Sequence, residues 1–308
     1  MLDFRIKTFL AVCRAMNFTR AAEALHITQP AVSQHIRALE EEYHTKLFLY
    51  EGKRLSLTEA GVLFFKTAAA MEHDARHLRD AISHLTEKRR LCFGATLTVA
   101  EYNMPAPLLR LLEREPEIRL RMMTANTAEL LRLLDEGEID FAIVEGFFQK
   151  QFYESLPYKR ERYLAVCAPG YSFFRRPKRL EDLLGERLLI REPGSGTREV
   201  LERALEERNL SVGDFPHLTE LGSLGAIKSM VMAGAGISFF YEPAVRSEVS
   251  SGSLCEIFLE EPPIFHEFSF LWRKGSVFSS FYQDVFQLFQ PAEDTQPVTE
   301  AFPAKASF

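Results

Sequence analysis

The chain has 308 residues, 46% of them hydrophobic and 26% charged, with a formal net charge of −6. That length fits two or three ordinary domains, and no run of about 18 apolar residues is present to cross a bilayer. The N-terminal stretch MLDFRIKTFLAV has no basic segment, long apolar core and small-residue cleavage site, so a secretory leader and a membrane partner are not expected and a cytoplasmic location is. Cys13, Cys92, Cys167 and Cys255 are scattered, which suits a reducing compartment and predicts small buried hydrophobes before a metal or redox centre.

Charge is unevenly spread. Residues 1–58 carry eight Lys and Arg against six Asp and Glu, a net of +2, which leaves −8 for the rest. So small an excess makes contact with a polyanion depend on a local patch and on dimerisation. In the first predicted helix Phe9, Val12, Cys13 and Met16 recur at i, i+3, i+4 and i+7, forming one apolar face. Asn17 breaks that pattern. Thr19 reads as the cap of a short second helix carrying Ala21, Ala22 and Leu25. Thr28 reads as the cap of a third, with Pro30 in its first turn, where a missing N–H is harmless. On that third helix Val32, Ile36 and Leu39 point one way. Gln29, Ser33 and Arg37 point another, with Gln34 beside them. Such side chains read base edges or grip phosphates, although the same stripe would also serve as a solvated face. A basic, hairpin-like segment follows, in which Lys53 and Arg54 offer either phosphate contacts or a plain solvated turn. Helix, helix, helix, basic hairpin is the layout of a winged helix-turn-helix, which sets one helix in the major groove of double-stranded DNA.

From Thr58 no proline occurs until Pro105. Phe64, Ala68, Met71, Ala75, Leu78, Ile82 and Leu85 alternate in steps of four and three, a heptad seam. A helix lying on a globular core could carry the same stripe. Its position between two domains favours a dimer seam, with Phe64, Met71, Leu78, Ile82 and Leu85 as dimerisation residues. His73, His77 and His84 read as solvated positions on this helix and not as a metal site.

After Arg90 strands and helices alternate. Strands are expected at Leu91–Phe93, Phe141–Val144, Leu164–Ala168, Leu188–Ile190 and Ile237–Phe240. Helices are expected at Leu108–Leu112, Leu130–Leu134, Val200–Leu205 and Ile227–Met232. The pattern predicts α/β lobes with parallel sheets and a cleft between them. Three turns suit an anionic ligand: Gly94–Thr98, Pro193–Arg198 and Gly222–Ser223, each near a helix N-terminus and at the carboxyl end of a strand. The candidate ligand residues are Thr96, Thr98, Ser195, Gly196, Thr197 and Ser223. Plain helix capping competes with that role, most of all for Ser223. Arg198 either adds a fixed charge or points to solvent, and Glu145 either faces the ligand or lines a dry rim. From Pro291 the composition predicts a disordered tail.

The N-terminal pattern resembles the DNA-binding domain of LysR-type transcriptional regulators. The matching residues are Phe18, Arg20-Ala21-Ala22, Leu25, Gln29-Pro30-Ala31, Ser33, Ile36, Leu39-Glu40, Leu47-Phe48 and Leu57-Thr58-Glu59-Ala60-Gly61, in order and spacing throughout. Two positions depart from it. His44 stands where the family usually has glycine, and Tyr50 where it usually has an arginine near the DNA backbone. The resemblance implies an all-α winged helix-turn-helix domain at 1–58, a linker helix at 59–89 and a two-lobed, periplasmic-binding-protein-like α/β domain at 90–290. Lobe I would hold 91–163 plus 266–290 and lobe II 164–265, with 291–308 as the tail. It adds weight to Thr96 and Thr98, because the family's effector cleft uses the corresponding turn. The string Arg191-Glu192-Pro193-Gly194-Ser195-Gly196-Thr197-Arg198 looks like a subgroup that includes regulators of carbon dioxide fixation and of sulfur assimilation. A small anionic metabolite is the most that string supports. Residues 196–210 contain no cysteine, unlike the peroxide-sensing members.

The implied function is sequence-specific transcription regulation controlled by a small anionic metabolite bound between the lobes. Promoter DNA and self-association into a homodimer or homotetramer are the implied partners, RNA polymerase is a further partner left open, and no cofactor or metal is expected. The alternative is a solute-binding protein without a transcriptional role, which would not need residues 1–61. An enzyme is not expected, because no phosphate loop, zinc spacing or nucleophile elbow occurs.

Overall fold

The computed structural model of the chain describes residues 3–52, 54–83 and 90–290. Helix α1 (Phe4–Ala15) ends at Met16, whose φ of 44° lies in the left-handed region. Met16 is therefore exposed, and the expected apolar face stops at Cys13. That turn leaves Asn17 extended, so Asn17 and not Thr19 caps α2 (Phe18–Leu25), its Oδ1 accepting from the backbone N–H groups of Thr19 and Arg20. Thr28 caps α3 (Gln29–Glu42) as expected, with Pro30 in the first turn. The inner residues Val32, Ile36 and Leu39 bury against Phe9, Leu10, Val12 and Ala21. Phe9, fully buried, meets Phe48 at 5.3 Å and Phe64 at 4.8 Å between ring centroids. Burying one such ring contributes about 1.5–3 kcal/mol.

The wing is an antiparallel hairpin of β1 (Phe48–Glu51) and β2 (Arg54–Leu57), followed by the linker helix α4 (Glu59–Ser83). Glu40 staples the wing to α3: its carboxylate accepts from Leu47 N–H at 3.0 Å and pairs with Lys46 at 2.6 Å. Thr58 Oγ1 donates to Lys46 O at 2.7 Å and accepts from Gly61 N–H at 2.9 Å. A Cβ on Gly61 would sit 2.0 Å from Leu47 O, so only glycine lets α4 approach the wing here.

The remaining chain runs β3 (Arg90–Ala95), α5 (Pro105–Arg114), β4 (Arg119–Thr124), α6 (Thr127–Asp135), β5 (Phe141–Val144), β6 (Tyr153–Cys167) and β7 (Arg187–Ile190). Then follow α7 (Gly196–Glu206), β8 (His217–Glu220), α8 (Leu224–Met232), β9 (Ser238–Tyr241), α9 (Glu242–Ser250), β10 (Cys255–Glu256), β11 (Ile264–Arg273) and α10 (Ser279–Phe289). The expectation of parallel sheets holds only in part. Strands β3, β4 and β5 pair in parallel, as do β7 and β8, but β5–β11, β6–β11, β6–β9 and β6–β10 are antiparallel. The long strand β6 pairs with β11 over Tyr153–Tyr163 and with β9 over Tyr163–Val166, so it passes from one half of the domain to the other. Its charged middle, Lys159–Arg162, hid the first eleven residues of this strand, 153–163, from a reading based on apolar runs. The sequence of β3 and β5, apolar on both faces, suits strands covered on both sides. Phe141 stacks on Phe93 and Phe270 at the centre of the largest core.

Helix α4 docks onto the C-terminal domain. His73, expected in solvent, is 3% exposed: Nδ1 lies 3.1 Å from Gly137 O and Nε2 lies 3.1 Å from the Tyr282 hydroxyl. Ser276 Oγ donates to Asp74 beside it. Gly137, at φ 69°, lets the two backbones approach, since a Cβ there would lie 2.9 Å from His73 Cβ. The His77 side chain and His84 lie outside the described residues.

Candidate DNA-reading surface and effector cleft

The outer face of α3 presents Gln29, Gln34 and Arg37 to solvent, with Ser33 half-buried between them. Gln29 Nε2 donates to Ser33 Oγ at 2.9 Å, which holds the amide along the helix face. Thr19 and Arg20 are exposed at the start of α2, Thr28 and Pro30 at the start of α3, and Arg54 and Tyr50 on the wing. Among the described residues Arg20, Arg37 and Arg54 have no carboxylate within 4.0 Å, so their charge is available to phosphate. Lys53 lies outside the described residues. His44 adopts φ 50°, the conformation that glycine takes without strain.

Along the expected dimer seam Phe64 is half-buried and Ala68 buried, both against the core of their own domain. Met71, Leu78 and Ile82 are 50%, 54% and 60% exposed. Leu85 lies outside the described residues.

The second cluster gathers where β3, β5 and α7 meet. Thr96 follows β3, Glu145 follows β5, and Ser195, Gly196 and Thr197 begin α7. Thr96, Glu145 and Ser195 are each 1% exposed, as is Thr98, and Thr197 is 3% exposed. Thr197 Oγ1 donates to Glu145 Oε1 at 2.9 Å, and Tyr163 donates to Thr197 O at 2.8 Å. A Cβ on Gly196 would stand 2.6 Å from both Glu145 Cγ and Gly146 N, so the glycine sets how closely α7 abuts the end of β5. Phe147 N–H donates across the same junction to Glu199 at 3.1 Å. Burial pushes the Glu145 carboxyl above the usual carboxylate range, against the opposing influence of Thr98, Thr197 and Arg191. The Thr98 hydroxyl lies near that carboxyl but outside hydrogen-bonding geometry.

Several buried polar atoms here have no protein partner: the hydroxyls of Thr96, Thr98, Thr127 and Ser195, Glu145 Oε2 and Arg191 Nη1. Each such atom forfeits about 1–3 kcal/mol if left unsatisfied, so a concentration of them marks a place built for something polar. The Thr197–Glu145 hydrogen bond and the close approach of Gly196 to Gly146 N hold the two halves together at this cluster, and a cavity of about 10 Å³, close to the space of one water, lies beside it among Tyr163, Leu189, Thr197 and Phe239. Thr127 and Arg191 were missed in the sequence. Thr127 reaches the cluster through Gly146, whose Cβ would lie 2.4 Å from its hydroxyl. Ser223 stands apart: it is exposed, and its hydroxyl caps α8 by accepting from Ala226 N–H. Arg198 is buried and paired with Glu202 and Glu220, so it adds no free charge.

A winged helix-turn-helix with unpaired arginines, joined by one long helix to a two-lobed domain holding a buried polar cluster, defines a ligand-responsive DNA-binding regulator. Residues 5–62 match the bacterial regulatory helix-turn-helix protein, lysR family, and residues 85–293 match the LysR substrate binding domain. The chain belongs to the family of LysR-type transcriptional regulators. It is 31% identical over 248 residues to the HTH-type transcriptional regulator CysL of Bacillus subtilis, covering 79% of this chain and 82% of that one. It is 32% identical over 255 residues to the HTH-type transcriptional regulator CbbR of Xanthobacter flavus, covering 80% and 75%. The full-length regulator LysG of Corynebacterium glutamicum, solved with bound effector Arg, shares the fold with a TM-score of 0.68 at 18% identity, over 94% of this chain and 100% of that one. The chain is thus a transcriptional regulator and not an enzyme, with a DNA-binding helix-turn-helix and a domain of the kind that takes small-molecule effectors.

Proposed function

We propose that the chain reads a two-fold promoter site through Gln29, Ser33, Gln34 and Arg37, and that a small anion bound between its lobes controls how paired modules sit on the DNA. Thr19, Arg20, Thr28, Pro30, Lys53 and Arg54 would grip the flanking phosphates. Met71, Leu78 and Ile82, with Phe64 and Leu85, would form the helix seam of a homodimer, the unit of a tetramer. RNA polymerase is the natural further partner of such an assembly, and the cytoplasm its setting.

The observation that carries the effector reading is the set of unsatisfied polar atoms around Glu145 and Thr197. Hydroxyls of Thr96, Thr98 and Ser195, the amide at Gly196 and the positive end of α7 suit an oxyanion, and Arg191 would add its Nη1, its Nε and Nη2 being held by Glu192. Glu145 would repel an anion when ionised. Its raised affinity for a proton lets it donate a hydrogen bond instead. Ser223 would join only at the rim. We assign the lobes as 91–163 plus 266–290 and 164–265, hinged where β6 and β11 cross. Opening or closing there would move α4 through the His73 joint, and the effector shifts the balance only by its differential affinity for the two states. A thermal-shift screen of small anions tests this: one should raise Tm in the full chain, and Thr197→Ala should abolish the rise. A rise undiminished in Thr197→Ala would remove the cleft assignment.

A further inference from the structure

A second groove, of about 510 Å³, opens between the linker helix and both halves of the sensor. It shares no residue with the Glu145–Thr197 cluster. Lys66 of α4 forms one wall, Phe147 and Phe152 the next, and Glu199 and Arg203 of α7 the third. Lys66 Nζ lies 4.3 Å from the Phe152 ring centroid, and the Arg203 guanidinium carbon lies 3.2 Å from that of Phe147. At that separation the guanidinium stacks on the ring, which leaves its in-plane N–H groups for another partner. Neither cation has a carboxylate within 4.0 Å among the described residues. Glu199 is already engaged by Phe147 N–H.

We propose that this groove is a second ligand site, for a planar aromatic carboxylate. Its size falls within the range of small-molecule sites. Its charged groups, Lys66, Arg203 and Glu199, sum to a single positive charge, which suits a monoanion and disfavours a phosphate dianion beside Glu199. Arg203 offers a fork for a carboxylate, and the exposed Phe152 ring, with one face against Lys66, leaves its other face for stacking a flat body. A ligand here touches α4 and α7 at once. It therefore biases the position of the linker helix against the sensor without entering the buried cleft.

The test uses the full chain with benzoate as probe, read by saturation-transfer NMR. Benzoate should bind saturably, while acetate and benzamide, lacking either the ring or the charge, should not. Lys66→Ala and Arg203→Ala should each weaken benzoate roughly tenfold, the loss expected for one charged hydrogen bond. Lys66→Arg should restore it, and Thr197→Ala should leave it unchanged. Absence of saturable binding would overturn the proposal. So would an equal response to acetate, or loss in Thr197→Ala with both cation variants intact, which would assign benzoate to the buried cleft instead.

Discussion

Replacing Gly196 by alanine should pry the closed lobes apart while leaving the fold in place. The added Cβ falls 2.6 Å from Gly146 N and 2.6 Å from Glu145 Cγ, and the first of these is backbone that cannot rotate away. The residue itself tolerates alanine, because it lies in the first turn of α7 with no positive φ and alanine favours helix. The strain is thus concentrated on the junction between β5 and α7. Overpacking of this kind costs about 1–3 kcal/mol, which shifts a closed–open balance roughly 5- to 150-fold. The reporter is the Phe147 amide, whose hydrogen bond to Glu199 at 3.1 Å exists only while the two elements abut. Its hydrogen exchange, followed by NMR, should accelerate by that factor in Gly196→Ala, with the amides of β3 unchanged. If Phe147 exchanges at the wild-type rate, the junction does not open and the hinge reasoning fails.

Other outcomes follow from the same geometry. His44→Gly should stabilise the chain by about 0.5–1 kcal/mol in urea denaturation, because glycine removes the left-handed penalty and returns part of it as chain entropy. Destabilisation instead would mean that the imidazole contributes more than the strain. The folded Glu145 carboxyl holds its proton more tightly than the unfolded one, since burial raises its pKa. Its contribution to stability is therefore greatest in acid and falls as pH rises from the usual carboxylate range through the raised folded value. The stability gap between wild type and Glu145→Gln should change with pH in that sense. A gap constant across that range would refute the protonation argument. Leu78→Asp with Ile82→Asp should give monomers in analytical ultracentrifugation, as both side chains are exposed on α4. Dimers of unchanged strength would move the interface elsewhere.

Much of the fold was legible because periodicity reports burial. The inner face of α3 and strands β5 and β7 emerged from apolar spacing alone, and the Thr28 cap from local chemistry. The cap at Asn17 was misplaced because nothing in the sequence announces that Met16 turns left-handed. The first part of β6 was hidden by Lys159–Arg162, whose charges are tolerated through pairs such as Lys159–Glu161 at 2.7 Å. His73 looked solvated because a helix surface does not reveal what docks on it. In the cleft, residues next to glycines at strand ends were visible. Thr127 and Arg191 were not: Thr127 meets the cluster through Gly146, distant in sequence, and nothing local marks Arg191 as buried. Ser223 carried the same local signature as Ser195, yet only Ser195 is buried. A short turn motif encodes its own cap and not its tertiary position.

The most direct test of the account is a footprint on the chain's own promoter region at fixed salt, comparing wild type with Arg37→Ala. Two protected half-sites one or more helical turns apart are expected. Arg37→Ala should weaken that site by about 1–3 kcal/mol while non-specific binding changes far less. Uniform protection of all sequences by wild type, or an undiminished footprint in the variant, would contradict the reading of α3 as the helix that selects the DNA sequence.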